Sequence, residues 1–391
     1  MTAQPEVTVV VACYNAMPYL TACLDSLVGQ SICRQRLGAL QVVAVDDGST
    51  DGSGAELRRY EEQHPELFTV LSQPNSGGPA APGNKALAKA RGRFLFFLGA
   101  DDWLGEEALE RLVALADRAE SDVVLGKMVG VGGRQVPQGI FEQTRERISF
   151  TDSALAWALS DTKLFRRELV ERHGLRKRED LPAYSDQPFT LEACLRSRRI
   201  SVLADYDCYY AVLRRDHGNV TVRSRHEDRL RGVAAMLEVA ERLADPGPEL
   251  AALRGRAFSW EIPRLLQTEF LTLAEPAQRR LCAGVARLIE RHCPPPEFEK
   301  LAVRDRLRLD LARRGRVAAL RRLIRYQAAY WESALPRTTG ETSAPAPGPP
   351  ELTLTVQLWR GLVPAQLRRR LRRTPAWRGM VERAYAKWGE R

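Results

Sequence analysis

Four short apolar runs near the N-terminus constrain the fold more than any other feature of the sequence. They are residues 7–12 (VTVVVA), 41–45 (QVVAV), 68–72 (FTVLS) and 93–98 (RFLFFL). Continuous apolar or β-branched runs of this length are typical of strands buried on both faces, and each gap between them can hold a helix. Alternating strands and helices form a largely parallel sheet that helices cover on both faces. We therefore predict an α/β fold.

The rest of the chain divides by composition and periodicity. A length of 391 residues favours two or three domains. We predict a first domain over residues 1–225 and an all-helical domain over 226–335, where Leu, Ala and Arg recur at helical spacing. Residues 336–351 are rich in Pro, Gly, Ser and Thr and are predicted to form a linker. Residues 352–391 follow it as a basic amphipathic segment.

Composition narrows the class of protein. The seven cysteines include no CxxC pair, so neither a zinc cage nor a disulfide framework is expected. No apolar stretch approaches the roughly 20 residues that span a bilayer, and no leader pattern opens the chain, so we expect a cytosolic protein. The net charge is +10, with Arg accumulating after position 300, which indicates an anionic partner: nucleic acid, a membrane surface or an acidic polymer.

Polar residues directly after the predicted strands form the candidate site, because ligands bind at the carboxyl ends of parallel strands. Asp101 and Asp102 follow the FLFFL run, and paired carboxylates suit Mg²⁺ or Mn²⁺ that bridges a diphosphate. Asp46 and Asp47 open a DDGSTD turn, where short polar side chains can bond to a base or a ribose. Either pair alone also fits an ordinary turn or helix cap.

Four strings in this region resemble the family 2 glycosyltransferases of the GT-A fold, in the order and at the spacing of that family. They are VTVVVACYN, VAVDDGSTDGS, NSGGPAAPGNKAL and ARGRFLFFLGADDW. The resemblance implies a Rossmann-like GT-A domain that binds a nucleotide sugar. The residues it implies as nucleotide-sugar contacts are Ala12, Tyr14, Asn15, Asp47, Asn84 and Asp101, and the residue it implies as a metal ligand is Asp102.

Two positions depart from the family pattern. The family commonly has Asp where Gly99 stands, so the acidic motif here has two carboxylates instead of three. It often has Arg where Gly83 stands, just before Asn84, so one candidate contact to the donor is missing.

Three further strings resemble a narrower group, the bacterial enzymes that glycosylate wall teichoic acid and related cell-surface polymers. They are residues 162–176, SDQPF (185–189) and ISVLADYDCYYAVLRRDHGNVT (200–221). That group has its catalytic base in an EDQPF-like string, which implies Asp186 as the base here, with Ser185 in place of the usual Glu. Its basic loop near the diphosphate implies donor contacts for Arg214 and Arg215 and a metal-ligand or phosphate role for His217.

These motifs predict an inverting, non-processive glycosyltransferase. It would move a sugar from a nucleotide sugar, most simply a UDP-sugar, to a hydroxyl of a cell-wall or cell-surface polymer such as a teichoic-acid-like polyol phosphate. Asp186 would act as the base, and Mn²⁺ or Mg²⁺ would neutralise the departing diphosphate. The absence of a Gln-x-x-Arg-Trp string after Asp186 argues against a processive synthase. The alternatives are a small-molecule or lipid-linked acceptor, a nucleotidyltransferase, or a nucleic-acid-binding protein.

The C-terminal half carries its own expectations. Residues 226–335 are predicted to position a long anionic acceptor or to mediate self-association into a homo-oligomer. In residues 352–391, Trp, Leu and Tyr alternate with Arg, which predicts peripheral contact with the inner face of the cell membrane or docking on protein. Nucleic acid is not an expected partner, because nothing here matches a recognised nucleic-acid-binding fold.

Overall fold

The structure is a computed structural model that describes residues 4–36, 38–216 and 218–334. The chain divides into two compact units, of which one ends at Leu253 and the other begins at Arg254. The predicted linker (336–351) and the basic segment (352–391) lie outside the described residues, so what the sequence predicts for them stays a prediction.

One sheet forms the centre of the first unit, and within the described residues nine strands contribute to it. In chain order they are β1 (Val7–Cys13), β2 (Leu40–Asp46), β3 (Phe68–Ser72), β4 (Phe94–Gly99), β5 (Trp103–Leu104), β6 (Val123–Val131), β7 (Arg145–Ile148), β8 (Lys163–Arg166) and β9 (Ile200–Val212). Across the sheet the order is β3-β2-β1-β4-β8-β6-β9-β5, and β7 pairs with β9. The four predicted strands are β1 to β4.

The helices follow the strands in alternation. In the first unit they are α1 (Leu20–Val28), α2 (Ser31–Gln35), α3 (Ser53–Gln63), α4 (Ala80–Leu87), α5 (Ala108–Arg118), α6 (Arg167–Arg172), α7 (Asp186–Arg196), α8 (Val220–Arg223) and α9 (His226–Leu243). Helix α10 (Pro248–Arg256) crosses the boundary between the units. Those after it are α11 (Ile262–Leu265), α12 (Glu275–His292), α13 (Pro295–Lys300), α14 (Val303–Arg313) and α15 (Val317–Ala334).

The sheet has a parallel half and a mixed half. Strands β3, β2, β1 and β4 run parallel to one another, whereas β8 lies antiparallel to both β4 and β6. Strands β1, β2 and β4 are buried on both faces, which explains their continuous Val, Leu and Phe runs. A largely parallel sheet between helices, followed by a helical region, confirms the predicted α/β fold of GT-A type.

The register of the parallel half brings three strand ends together. Ala12 near the end of β1 lies between Val45 of β2 and Gly99 of β4. Cys13 pairs with Asp46, and the Asp47 amide donates to the Cys13 carbonyl oxygen at 2.8 Å. The polar segments that follow β1, β2 and β4 therefore meet at one edge of the sheet.

The second unit is helical among its described residues. Helices α12, α14 and α15 pack on one another through buried apolar side chains, which include Leu281, Val285, Leu309, Leu320 and Ile324. In the part of the chain that the structure describes, no helix is both long and apolar enough to cross a membrane. The predicted helical character of residues 226–335 agrees with helices α9 to α15.

Candidate active site

The acidic pair lies in the tight connection between β4 and β5. The Asp102 amide donates to the Gly99 carbonyl oxygen at 3.0 Å, which closes the turn. The short strand β5 then pairs antiparallel with β9, and the Trp103 ring stacks on Tyr210 with centroids 5.4 Å apart. Asp101 and Asp102 therefore lie between two strands of the sheet, β4 and β5, at the edge where the parallel strands end.

Both oxygens of the Asp102 carboxylate accept hydrogen bonds from β9. The Tyr209 hydroxyl donates to Oδ2 at 2.5 Å, and the Val212 amide donates to Oδ1 at 2.7 Å. The Gly99 amide donates in turn to the Tyr209 hydroxyl oxygen at 3.2 Å. A Cβ on Gly99 would lie 2.7 Å from Asp102 Oδ2, so this glycine lets the carboxylate lie against the end of β4. The orientation of Asp102 is thus fixed by a strand more than a hundred residues away.

The acidic pair is short of compensating positive charge. Burial and the neighbouring charge of Asp101 raise the pKa of Asp102 to about 7. Burial also raises the pKa of Asp101, although the nearby Arg214 opposes this. Two half-buried carboxylate groups that repel each other offer hard oxygen ligands, and a divalent cation would remove the repulsion. The pair therefore fits Mg²⁺ or Mn²⁺, as the sequence predicts for Asp102.

The described part of the chain supplies few other ligands for such a cation. Within the described residues, no group of three or more His, Cys, Asp or Glu is placed to hold a metal ion. His217, which the sequence predicts as a third ligand or a phosphate contact, lies outside the described residues. Two carboxylates suit a cation that completes its coordination shell with substrate phosphate oxygens and water.

Asn219 links the acidic pair to the basic loop after β9. Its Nδ2 donates to Asp101 Oδ2 at 2.8 Å and to the Val212 carbonyl oxygen at 3.1 Å. Its Oδ1 accepts from the Arg214 amide at 2.9 Å. Because Asn219 is buried and uses both ends of its amide, it ties Asp101 to the start of this loop.

The two arginines of that loop are placed differently. The guanidinium of Arg214 is buried, makes two hydrogen bonds to Asp216 at 2.6 and 3.0 Å, and lies 5.3 Å from the Tyr19 ring centroid. Arg215 is exposed, and its amide donates to the Tyr19 hydroxyl at 2.9 Å. Of the two predicted donor contacts, Arg215 has the more accessible side chain, while Arg214 stabilises the loop.

The end of β1 and the DDGS turn are joined by side chain to backbone hydrogen bonds. Asn15 adopts a positive φ of 48°, and its Oδ1 accepts from the Thr50 amide at 2.8 Å. The Asn15 amide donates to the Ser49 hydroxyl at 3.0 Å. These bonds leave the Tyr14 ring 42% exposed beside Ala12. An exposed aromatic ring at a strand end is a surface on which a nucleobase can stack.

Asp47 organises the loop that follows β3. Its buried carboxylate accepts from Gln73 Nε2 at 2.6 Å and from the Ser76 hydroxyl at 2.9 Å. The Ser76 amide donates to the same group at 3.1 Å, and Asn75 Nδ2 donates to the Asp47 carbonyl oxygen at 3.1 Å. Asp47 therefore shapes the wall of the site with bonds that need no ligand.

Asn84 also has its polar atoms engaged within the protein. Its Oδ1 accepts from the Lys177 amide at 2.9 Å, and its Nδ2 donates to the Lys177 carbonyl oxygen at 2.8 Å. The Nδ2 also donates to Glu179 Oε1 at 2.9 Å. Asn84, predicted from resemblance as a donor contact, thus joins α4 to the segment that precedes α7.

Asp186 is the first residue of α7, directly after Ser185. Its side chain is half-buried, whereas Ser185 is buried. A carboxylate in the first turn of a helix gains from the helix dipole, which favours the ionised form that a general base needs. The residue before Ser185, Tyr184, has a positive φ of 61°, so a tight backbone turn presents Asp186.

Two side chains that contact the acidic pair, Tyr209 and Asn219, are not among the site residues predicted from the sequence. Both lie within a string used only for its overall resemblance, and their partners Asp102 and Asp101 lie more than a hundred residues earlier. The alternation along β9 indicates a strand, but it does not give the pairing of β9 with β5 and β6. That pairing is what brings Tyr209 to Asp102.

Comparison with known proteins bears on both parts of the chain. Residues 8–174 match the model of Glycosyl transferase family 2, and residues 226–324 match that of the Glycosyl transferase TarS linker domain. Poly(ribitol-phosphate) beta-glucosyltransferase of Bacillus spizizenii is 36% identical over 209 residues, which are 54% of this chain and 32% of that protein. Poly(ribitol-phosphate) beta-N-acetylglucosaminyltransferase TarS of Staphylococcus aureus is 39% identical over 209 residues, 53% of this chain and 35% of that protein. The aligned region thus spans about a third of these relatives.

Solved structures of TarS resemble the chain over a longer stretch. The crystal structure of S. aureus TarS 1-349 in complex with UDP-GlcNAc has a TM-score of 0.72 and 28% identity, and the match covers 88% of this chain and 99% of that one. The complex of TarS 1-349 with UDP has a TM-score of 0.70, with 86% and 94% covered. The family 2 match includes β1 to β4, β8 and the acidic pair at the end of β4. The chain therefore carries a glycosyl transferase family 2 domain over residues 8–174.

Proposed function

We propose that the chain transfers a sugar from a UDP-sugar to a hydroxyl group of a polyol phosphate polymer of the poly(ribitol phosphate) type, with inversion at the anomeric carbon. The observation that carries this proposal is the half-buried acidic pair at the meeting point of β1, β2 and β4. The similarity to TarS 1-349 with UDP-GlcNAc supports a UDP-sugar donor. The activities of the named relatives support the polymer, with glucose or N-acetylglucosamine as the sugar in β linkage.

For the donor, we propose that residues at different strand ends contact different parts of the molecule. Tyr14 would stack on the base, and Ala12 and Asn15 would line the wall beside it, since they lie at the end of β1. Asp47 would hold the neighbouring loop against the ribose through its bonds to Gln73 and Ser76. The exposed Arg215 would contact the diphosphate, where its positive charge offsets the phosphate charge.

For the cofactor, we propose Mn²⁺ or Mg²⁺ at the acidic pair, held by Asp102 with Asp101 beside it. When bound, the cation supplies positive charge that stabilises the departing diphosphate. The chain orients the pair through Tyr209 and the Val212 amide on Asp102, and through Asn219 on Asp101. Fixed carboxylates lose little freedom when substrate binds, so the charge is in place before the reaction begins.

For the chemical step, we propose Asp186 as the general base. Its carboxylate accepts the proton of the acceptor hydroxyl while that oxygen attacks the anomeric carbon, and the bond from this carbon to the UDP oxygen breaks. Asp186 lies in the first turn of α7, where the helix dipole favours a negatively charged side chain.

We also propose that the helical region 226–335 holds the anionic polymer through its arginines. Contacts between surface arginine and phosphate are screened by salt. Polymer affinity measured by sedimentation should therefore fall steeply between low and high salt, and an affinity that does not change would contradict this role. Homo-oligomer formation, and membrane contact through residues 352–391, remain predictions from sequence.

The proposed function is tested by UDP release from UDP-GlcNAc and from UDP-glucose, each with purified poly(ribitol phosphate). We expect release that requires polymer and Mn²⁺ and that stops with excess EDTA. The product anomer, determined by NMR, should be β. Poly(glycerol phosphate) serves as the matched acceptor control. Release of pyrophosphate instead of UDP, or equal rates with and without any polymer, would show that the proposal is wrong.

A further inference from the structure

Asn84 makes hydrogen bonds within the protein that a residue would not need in order to contact a ligand. Its amide meets both the N–H and the C=O of one residue, Lys177, at 2.9 and 2.8 Å, in the manner of a paired strand. A third bond at 2.9 Å reaches the Glu179 carboxylate. The side chain is half-buried on α4, which packs against β1 and β2. Asn84 therefore connects the strands of the donor site to a segment 93 residues later in the chain.

That segment, residues 177–185, leads directly into Asp186, and we call it the base segment. Its first residue is anchored: the buried Lys177 ammonium forms an ion pair with Asp161 and lies 3.9 Å from the centroid of the Phe97 ring. Phe97 belongs to β4, two residues before Gly99. The start of the base segment is thus tied to the same strand that ends in the acidic pair.

The middle and end of the base segment also make close contacts. A Cβ on Gly78 would lie 3.0 Å from the Pro182 backbone, and a Cβ on Gly232 of α9 would lie 2.4 Å from Tyr184 Cβ. Two glycines therefore permit close approach on either side of the segment. The exposed residues between Lys177 and these contacts form surface ion pairs, such as that of Arg178 with Asp180. Such pairs contribute little to stability.

We infer that Asn84 is a positioning residue that fixes the base segment, and with it Asp186, relative to the donor strands. The base must lie within hydrogen-bond reach of the acceptor hydroxyl whose oxygen attacks the anomeric carbon. A shift of about 1 Å can cost on the order of a hundredfold in rate. The hydrogen bonds of Asn84 set the distance between α4 and Lys177, the first residue of the base segment. The inference rests on the proposed role of Asp186, but the hold on the base segment can be measured separately.

The test compares two isosteric substitutions, Asn84→Asp and Asn75→Asp. Each removes an amide donor to a backbone carbonyl oxygen, of Lys177 in the first case and of Asp47 in the second. In Asn84→Asp the new carboxylate also faces Glu179. We expect trypsin to cleave Asn84→Asp faster after Arg176 and Arg178, measured by mass spectrometry on the full chain, while Asn75→Asp is cleaved there as slowly as the wild type.

Kinetics with UDP-GlcNAc and poly(ribitol phosphate) give the second readout. Asn84→Asp should lower kcat by at least about tenfold, within the cost of a small misplacement of the base, while the dissociation constant of UDP with Mn²⁺ is unchanged. Asn75→Asp should instead weaken UDP binding, because it loosens the Asp47 loop. Adding Glu179→Gln to Asn84→Asp restores a donor opposite residue 84, and kcat should partly recover. If Asn84→Asp does not fold, Asn84→Ala takes its place.

Two results would overturn the inference. One is tryptic cleavage of the base segment at the wild-type rate in the Asn84 variant. The other is a loss of UDP affinity in proportion to the loss of kcat, which would make Asn84 a donor contact. Failure of the proposed function is distinguishable, because the wild type would then not release UDP in a polymer-dependent reaction. Failure of the base role alone would show as normal turnover by Asp186→Asn. In both cases the tryptic comparison would still show whether Asn84 holds the segment.

Discussion

The parallel and the mixed halves of the sheet build the site in different ways. In the parallel half, each candidate residue follows its own strand and is fixed by neighbours from the next turn, as Asn15 is by Ser49 and Thr50. In the mixed half, Tyr209 and Val212 of β9 fix the carboxylate of Asp102, which lies more than a hundred residues earlier in the chain. One half presents the proposed donor contacts, and the other fixes the orientation of the carboxylates.

This difference separates two tasks, recognition of the donor and preorganisation of the two carboxylates. A turn such as DDGS can form wherever a strand ends, so the parallel half depends on short-range interactions. Asp101 and Asp102 are half-buried with raised pKa values, and they keep their orientation because Asn219 and Tyr209 donate to them. The mixed half therefore stabilises two carboxylates that repel each other, an arrangement that the proposed cation would relieve.

The largest effect is expected at Asp102. Asp102→Asn keeps the shape of the side chain but removes its charge, so turnover with UDP-GlcNAc, polymer and Mn²⁺ should fall by about a thousandfold, the upper range for losing one preorganised electrostatic contact. Circular dichroism should show an unchanged fold. Substantial activity in this variant, or wild-type activity in excess EDTA, would place the metal elsewhere.

The next effect is expected at Asp186. Asp186→Asn retains the size of the side chain at the start of α7 but cannot accept a proton, so kcat should fall by at least about a hundredfold, within the usual range for a general base. UDP and Mn²⁺ should bind as they do to the wild type, which calorimetry can measure. Near-normal transfer by this variant would mean that the base is another residue.

Tyr209 tests the mixed half directly, with a smaller expected effect. Tyr209→Phe removes the 2.5 Å bond to Asp102 but keeps the ring packed, 6.3 Å from Phe96 between centroids. Losing a bond to a buried charged group costs roughly 1.5–3 kcal/mol. We expect a higher Mn²⁺ concentration for half-maximal turnover, with UDP affinity in saturating metal retained. Tyr210→Phe is the matched control, because Tyr210 is the next residue in the chain and its ring stacks on Trp103.

The last effect is on the stability of the metal-free protein. The pKa of Asp102 is about 7 in the folded protein, against about 3.9 for an unperturbed Asp. The metal-free native state therefore binds a proton more tightly than the unfolded state, and stability should fall as pH rises from about 4 to about 7. The stability of Asp102→Asn should not show this pH-dependent loss. At pH 8 without metal, this variant should have a higher melting temperature than the wild type. Equal melting temperatures there would contradict the charge repulsion.

Much of the parallel half could be predicted from sequence, because the information is local. Runs such as FLFFL mark buried strands, and the polar residues after them lie at the carboxyl edge as the parallel register requires. The roles of Asn84, Asn219 and Tyr209 could not be predicted in this way. Each depends on a partner roughly ninety or more residues away, and periodicity does not specify which distant segments meet. Resemblance gave Asn84 a donor role, whereas its observed bonds are to the base segment.

The contact between Gly232 and Tyr184 bears on how this chain can be recombined with its relatives. Helix α9 lies in the region that matches the linker model, beyond the predicted end of the first domain at residue 225, yet it packs on α7 and the compact unit runs to Leu253. A chimera joined at 225 would place a foreign helix against the turn that presents Asp186, where any side chain larger than hydrogen at position 232 meets Tyr184. Exchange of C-terminal modules should therefore preserve α9, with the junction placed after it.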